Sequence, residues 1–251
     1  PLRMRDEALT RYLSDTACAL AAEHCADVRV YALRTPYFNA NMAPNGMMQV
    51  WSGLLLRMEN EAQMAAILAH EIGHVKHLHL LLYIGLFLGF SLLAGAVAKH
   101  LPHLVLSSDV FYHLLPHLPF APENVLGMAA TAPVLLLMLV YFRFVFGYFI
   151  RNFERQADAY VFRAVGTGWP LVSAFEKIAL LSGGSREEKN WHHFGIGERI
   201  DFLKRSERDR NLIGRHERKL RLGLIAYVLC ITLGIMALQQ IDTSTMAEGY
   251  E

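Results

Sequence analysis

Three long runs of uncharged residues constrain the fold of this 251-residue chain more than any other feature. Residues 78–97 form one run of twenty without a formal charge, and residues 125–141 and 222–238 form two more. About twenty apolar residues suffice to cross a bilayer as a helix. Each run taken alone also fits a buried core helix. Because three occur in a chain that is 53% apolar and only 19% charged, we predict three transmembrane helices.

The charges between the runs predict one orientation. Residues 100–124 contain no Lys or Arg, whereas residues 151–221 are rich in both. The positive-inside rule places the basic segment in the cytoplasm, so the first two runs form a hairpin whose tip lies outside. The predicted order is a first soluble part (1–77), a transmembrane hairpin (78–150) with an outer loop (98–124), a second soluble part (151–221), a third transmembrane helix (222–241) and an outward tail (242–251).

The basic stretch at 199–221 also suits a nucleic-acid-binding surface. Acidic residues interrupt this stretch, and a predicted span follows it directly. We therefore favour a helix that faces solvent and lipid head groups, and we predict membrane lipid but no nucleic acid as a partner.

The three cysteines, Cys18, Cys25 and Cys230, are scattered and form no CxxC pair. We expect reduced thiols that pack as small apolar residues, without a disulfide framework. The chain begins at Pro1 without an initiator Met, so we expect that further sequence precedes it, and the residues given show no signal peptide.

The soluble parts are predicted to be mainly helical with a small antiparallel β-hairpin. Helical spacing is found at 2–22, 53–58, 61–78, 151–165 and 170–181, and residues 28–33 alternate as a strand does. Asn45-Gly46 predicts a tight turn between strands at 39–42 and 47–51. The hairpin could add an extended peptide substrate as another strand, or it could be purely structural.

The sequence His-Glu-Ile-Gly-His at 70–74 lies within the helix predicted at 61–78. His70 and His74 are four residues apart, so both imidazoles lie on one helix face and can reach a single metal ion. Glu71 is placed to take a proton from a metal-bound water. The pattern predicts a zinc hydrolase, most often a metallopeptidase.

A catalytic zinc needs a third protein ligand and one open position. Glu154 and Asp158 are also four residues apart, so they share one face of the helix predicted at 151–165. We predict that Glu154 is the third ligand and that Asp158 accepts a hydrogen bond from the outer nitrogen of a ligating histidine. Alternatively, both carboxylates face solvent and pair with arginines, but the presence of the His70–His74 helix favours the first interpretation. The predicted membrane hairpin would return this helix to the motif's side of the bilayer.

His-Glu-Ile-Gly-His at 70–74, followed after a hydrophobic hairpin by Glu-Arg-Gln-Ala-Asp at 154–158, resembles the M48 family of membrane zinc metallopeptidases. Residues 39–46 and 52–55 are similar to the strand, turn and helix that precede the family's metal helix. The resemblance covers residues 26–78 and 148–205. It implies a gluzincin-like protease domain with transmembrane helices, one zinc ion on His70, His74 and Glu154, Glu71 as general base, and Asp158 behind the ligands.

The segment at 191–200 resembles a further family element, in which a histidine and an arginine steady the oxyanion. By that resemblance His193 and Arg199 contact the oxyanion, with a structural role as the alternative and His192 as a weaker candidate. Phe194 stands where the family often has proline. His77 and His79 are expected at the interface or helix end and not among the ligands. Histidines in the predicted outer loop suggest metal transport, but a metal path requires carboxylates or histidines inside the spans, and the predicted spans contain none beyond His79 at an edge.

The two-span hairpin is more similar to HtpX-type quality-control proteases than to CAAX prenyl-protein proteases. That type has two further spans ahead of the soluble part, and it lacks the span predicted at 222–238. The resemblance implies a bacterial inner-membrane protein whose active site faces the cytoplasm. The predicted reaction is hydrolysis of peptide bonds by metal-activated water, in membrane protein quality control or processing. The alternatives are a prenylated-peptide protease and a non-catalytic membrane metal-binding scaffold; three spans disfavour the first, and Glu71 disfavours the second.

Overall fold

The fold is predominantly helical with one small mixed sheet. The structure is a computed structural model that describes residues 2–43, 45–106, 108–117, 119–181 and 195–240. Three strands are present there, β1 (Arg29–Leu33), β2 (Ala40–Met42) and β3 (Met47–Trp51). The α-helices of the described residues are α1 (Glu7–Ala21), α2 (Ser52–Leu55), α3 (Glu61–Lys76), α4 (His79–Leu106), α5 (Asp109–Leu114), α6 (Pro122–Val140), α7 (Gly147–Ala164), α8 (Trp169–Leu181), α9 (Ile196–Arg208) and α10 (Asn211–Gln239).

Two compact units divide the chain. The first contains Pro1–Tyr83 and Tyr148–Leu220, and the second contains Ile84–Gly147 and Arg221–Glu251. In the first unit the sheet has the order β1-β3-β2. The predicted hairpin of β2 and β3 is confirmed as antiparallel, whereas β1 pairs parallel to β3, so the sheet is mixed. The predicted fold class, mainly α with a small β-hairpin and helices apolar enough to cross a membrane, is thereby confirmed.

The core of the first unit lies under this sheet. Alternate residues of the strands point inward, as the two-residue period of a strand requires. They are fully or almost fully buried and join apolar side chains from α1, α3 and α8, namely Val30, Ala32, Met48, Val50, Leu13, Leu68 and Leu171.

The chain start is extended where the sequence predicted helix. Met4 N–H donates to Ala32 O at 2.8 Å and Arg34 N–H donates to Leu2 O at 2.6 Å, so these first residues lie along the outer edge of β1. Helix α1 begins only at Glu7, because the Asp6 side chain accepts a hydrogen bond from Leu9 N–H and caps it.

Helix α3 begins where predicted but ends earlier. The Asn60 side chain accepts from Gln63 N–H and caps the helix. The helix stops at Lys76, and Leu78 has a φ of 54°, a left-handed conformation that reverses the chain before α4. The predicted continuation of the helix to residue 78 is therefore wrong.

The expectation of reduced thiols is wrong for two of the three cysteines. Cys18 and Cys25 form a disulfide, while Cys230 is free and exposed. Ala22, directly after α1, has a φ of 54° and turns the chain into a short 3₁₀ helix, Ala22–Asp27. This reversal brings Cys25 back beside the last turns of α1, an encounter that residue spacing alone does not reveal.

Three helices are long and apolar enough to cross a membrane, His79–Pro102, Pro122–Ala164 and Asn211–Gln239. In the second unit, large apolar side chains remain more than half exposed, including Leu88 at 57% and Leu136 at 63%. A surface of this kind is unfavourable in water and suits contact with lipid.

A pair of tyrosines joins the helices of the second unit. The hydroxyls of Tyr141 and Tyr227 both donate to the Leu86 carbonyl, at 2.6 and 3.0 Å. Tyr227 passes directly over Gly89, where an added Cβ would lie 2.0 Å from its hydroxyl, whereas an added Cβ at Gly85 meets open space. Gly89 therefore allows the Tyr227 side chain to approach α4 closely, as small residues do where transmembrane helices pack.

Candidate metal centre

The two motif histidines lie on the inner face of α3, one turn apart. His70 is buried and His74 is half-buried. Their Nε2 atoms are 3.3 Å apart, so both rings direct the same nitrogen toward one point. Burial is the main reason that the pKa of the His74 imidazole lies well below its usual range, which keeps this ring neutral, as a metal ligand must be.

Glu154 completes a triangle of donor atoms. It comes from α7, and its carboxylate oxygens lie 3.7 Å from His70 Nε2 and 3.5 Å from His74 Nε2. A tetrahedral zinc with bonds of about 2.0–2.2 Å separates its ligand atoms by about 3.3–3.6 Å. The three side chains therefore fit a zinc ion in both donor type and spacing, and they are the one such group among the described residues.

Gly73 allows α3 and α7 to approach closely enough for this triangle to form. A Cβ added at Gly73 would lie 3.1 Å from both the Cα and the carbonyl oxygen of Ala157. A side chain here would crowd the backbone of α7, so Gly73 supports the close packing that brings Glu154 to the histidines.

The outer nitrogen of His70 is also held. Its Nδ1 lies 3.0 Å from the Oδ1 of Asp158, which is fully buried. An imidazole that donates one N–H to a carboxylate presents its other nitrogen to a metal in a fixed orientation. The structure thus places Asp158 where a partner of a ligating histidine would lie.

Arg199 enters the site from α9. It donates to both oxygens of Asp158, from Nε at 2.9 Å and from Nη2 at 2.6 Å, and its Nη1 lies 3.3 Å from Glu154. Its guanidinium also covers the ring of Phe175 at 4.2 Å. Burial opposes the charge of Arg199, but the ion pair with Asp158 outweighs burial and raises its pKa. Arg199 is therefore always charged and is held by the carboxylates.

Glu71 follows His70 on α3. Burial raises the pKa of its carboxyl to about 7, opposed by the charge of His70 and by a hydrogen bond from the Met42 backbone amide. A carboxyl with such a pKa can accept and release a proton near neutral pH. Helix α3, which carries Glu71, packs against β2.

These residues agree with an independent comparison of the whole sequence with protein families. The family model described as "Peptidase family M48" matches residues 3–207. The chain belongs to peptidase family M48. The resemblance inferred from the two motifs is thus confirmed. Membership of this family supports protease activity and a metal ion held by His70, His74 and Glu154.

A solved structure shares the M48 fold of this chain. It is the crystal structure of S. mikatae Ste24p, with a TM-score of 0.52 and 18% sequence identity. The match covers 80% of this chain and 50% of Ste24p, so the chain spans about half the length of that relative. At this identity the likeness concerns the fold. No curated protein sequence matches the chain.

Three other histidines, His192, His193 and His79, lie outside this triangle of donor atoms or outside the described residues. His193, predicted to contact the oxyanion, lies outside the described residues, as does His192. His79, by contrast, contacts the site although the sequence placed it only at the edge of a predicted span. Its Nδ1 lies 2.9 Å from His74 Nδ1. The sequence signal was a histidine five residues after His74, but a continuous helix would have pointed its side chain elsewhere.

Proposed function

We propose that this chain is a membrane-integrated, zinc-dependent endopeptidase. The observation that carries the proposal is the triangle of His70 Nε2, His74 Nε2 and the Glu154 carboxylate, with Glu71 beside it. When bound there, zinc supplies Lewis acidity that acidifies water and polarises the scissile carbonyl. The residues of the chain supply the proton transfers and hold the ligands.

Glu71 is the general base in this proposal. It accepts the proton of the attacking water and then gives it to the leaving amine, so no covalent intermediate with the chain is needed. Its burial favours this role, because the neutral and ionised forms are then close in free energy near neutral pH. Asp158 orients His70, and Arg199 holds Asp158 in place.

The outer edge of β2 is proposed to bind the substrate as an added strand. Trp51 N–H donates to Asn39 O and Ala43 N–H donates to Met47 O, which places Asn41 opposite Gln49 in the hydrogen-bonded register. The backbone groups of Ala40 and Met42 therefore point away from β3. Because β2 packs beside α3, the helix that carries Glu71, a peptide paired along this edge would pass the general base.

The proposed location is the bacterial inner membrane, with the site facing the cytoplasm. Support comes from the three apolar helices and from the basic residues at 151–221. The proposed role is quality control or processing of membrane proteins.

The proposal is tested with the full chain solubilised in detergent, by measuring zinc content and cleavage of casein or a model peptide. We expect about one zinc per chain, loss of cleavage with a chelator, and recovery when zinc is restored. Cleavage that survives complete removal of the metal would show that the proposal is wrong.

A further inference from the structure

His79 is a buried histidine that the proposed reaction leaves without a role. The residue is only 1% exposed, and its ring stacks on the ring of Phe153 with the centroids 4.7 Å apart. Both of its nitrogens have partners. Nδ1 faces His74 Nδ1 at 2.9 Å, and Nε2 faces Gln156 Oε1 at 3.1 Å.

The direction of these two hydrogen bonds follows from the metal triangle. His74 directs Nε2 toward His70 and Glu154, so that nitrogen must carry a free lone pair to bind a metal. The proton of His74 is then on Nδ1 and is donated to His79 Nδ1. The proton of His79 is in turn on Nε2 and is donated to the carbonyl oxygen of Gln156, which can only accept.

The chain reversal at Leu78 makes this contact. Five residues along a continuous α-helix rotate by about 140°, which would turn residue 79 away from residue 74. The left-handed backbone of Leu78, at a φ of 54°, ends α3 and folds His79 back beneath His74. A non-glycine residue rarely takes this conformation, so the fold keeps an unfavourable backbone geometry at the point where it brings the two rings together.

We propose that His79 and Gln156 act as a positioning relay for the metal ligand His74. The relay fixes the orientation of the His74 ring and keeps its proton on Nδ1, so that Nε2 is ready to bind the metal. The Nδ1 of His70 has the Asp158 carboxylate as its hydrogen-bond partner. The relay gives the Nδ1 of His74 an equivalent partner, the neutral imidazole of His79. This inference rests on the proposed function, because it requires a metal at the triangle.

The test measures the zinc affinity of the full chain in detergent by competition with a chromophoric chelator. His79→Leu removes the acceptor for His74, and we expect a loss of about 10–100-fold in affinity. His79→Asn places a carbonyl oxygen near the former Nδ1 position and should restore affinity to within about threefold of wild type. His77→Leu is the matched control, since His77 stacks on His79 at 5.7 Å, and we expect wild-type affinity.

The outcomes separate the relay from the proposed function. If wild type binds zinc and His79→Leu binds it equally well, the relay is wrong and the proposed function stands. Equal loss in His79→Leu and His79→Asn also overturns the relay, because shape alone would then explain the effect. If wild type binds no zinc, both proposals are wrong. Should His79→Leu fail to fold, Gln156→Leu decides: weaker zinc binding supports the relay, and unchanged binding overturns it.

Discussion

Arg199 and Asp158 form a bidentate ion pair, with two hydrogen bonds of 2.9 and 2.6 Å, inside the first compact unit. The carboxylate of this pair is also the partner of His70, at 3.0 Å. The pair thus links α9 to the metal helix α3 through α7. A single carboxylate thus pairs with the buried cation of Arg199 and with His70, the proposed metal ligand.

Arg199→Leu should lower stability strongly, because it leaves the Asp158 carboxylate buried without its cation. Breaking a buried pair in this way costs about 3–5 kcal/mol. The measurement is thermal unfolding in detergent with a chelator present, so that metal binding does not contribute. Arg208→Leu, at an exposed position of the same helix, is the control and should unfold as wild type does. Unchanged stability together with a large fall in kcat would instead assign Arg199 to the reaction itself.

Peptides methylated on single backbone nitrogens should reveal whether substrate pairs with β2. A strand directs alternate amides toward its neighbour, so methyl groups at every second position would block pairing with the outer edge at Ala40 and Met42. Cleavage of peptides methylated at those positions should fall at least about tenfold, since a hydrogen bond is lost and the strands are pushed apart. Methylation at the intervening positions should have little effect and is the internal control. A uniform effect at all positions would argue against strand addition.

Gly89→Ala should destabilise the second unit, because the new methyl group would meet the Tyr227 hydroxyl. Overpacking of this kind costs about 1–3 kcal/mol. Gly85→Ala is the matched control on the same helix, where nothing lies within 4 Å of the added group. Thermal unfolding in detergent should therefore separate the two variants, and equal melting temperatures would contradict the packing described for Tyr227.

Cysteine labelling tests the proposed orientation in the membrane. In a Cys230→Ser background, Arg208→Cys should resist a membrane-impermeant maleimide in intact cells and react after lysis. Val110→Cys, which is 66% exposed, should react in intact cells. The reverse pattern would place the basic segment outside and overturn the topology.

The elements that follow local rules could be predicted from the sequence. The start of α3 at Glu61, the Asn45-Gly46 turn and the three apolar runs each depend on neighbouring residues, and each is found in the structure. The four-residue spacing of Glu154 and Asp158 likewise predicted that the two side chains share one helix face. The structure brings both of them to the motif histidines.

The features that were missed depend on contacts distant in sequence or on unusual backbone conformations. Leu78 and Ala22 adopt positive φ although neither is glycine, and no local signal predicts this. The first reversal creates the contact between His79 and His74, and the second creates the Cys18–Cys25 disulfide. The parallel pairing of β1 with β3 likewise depends on tertiary packing.

Glu71→Gln tests the account most directly, when zinc content and cleavage are measured on the same detergent-solubilised sample. The variant keeps the shape of the side chain but cannot accept the proton. We predict wild-type zinc content and a fall in cleavage of about 10²–10⁴-fold. Glu61→Gln, at the exposed start of α3, should keep both properties. Full cleavage by Glu71→Gln with zinc bound would contradict the account.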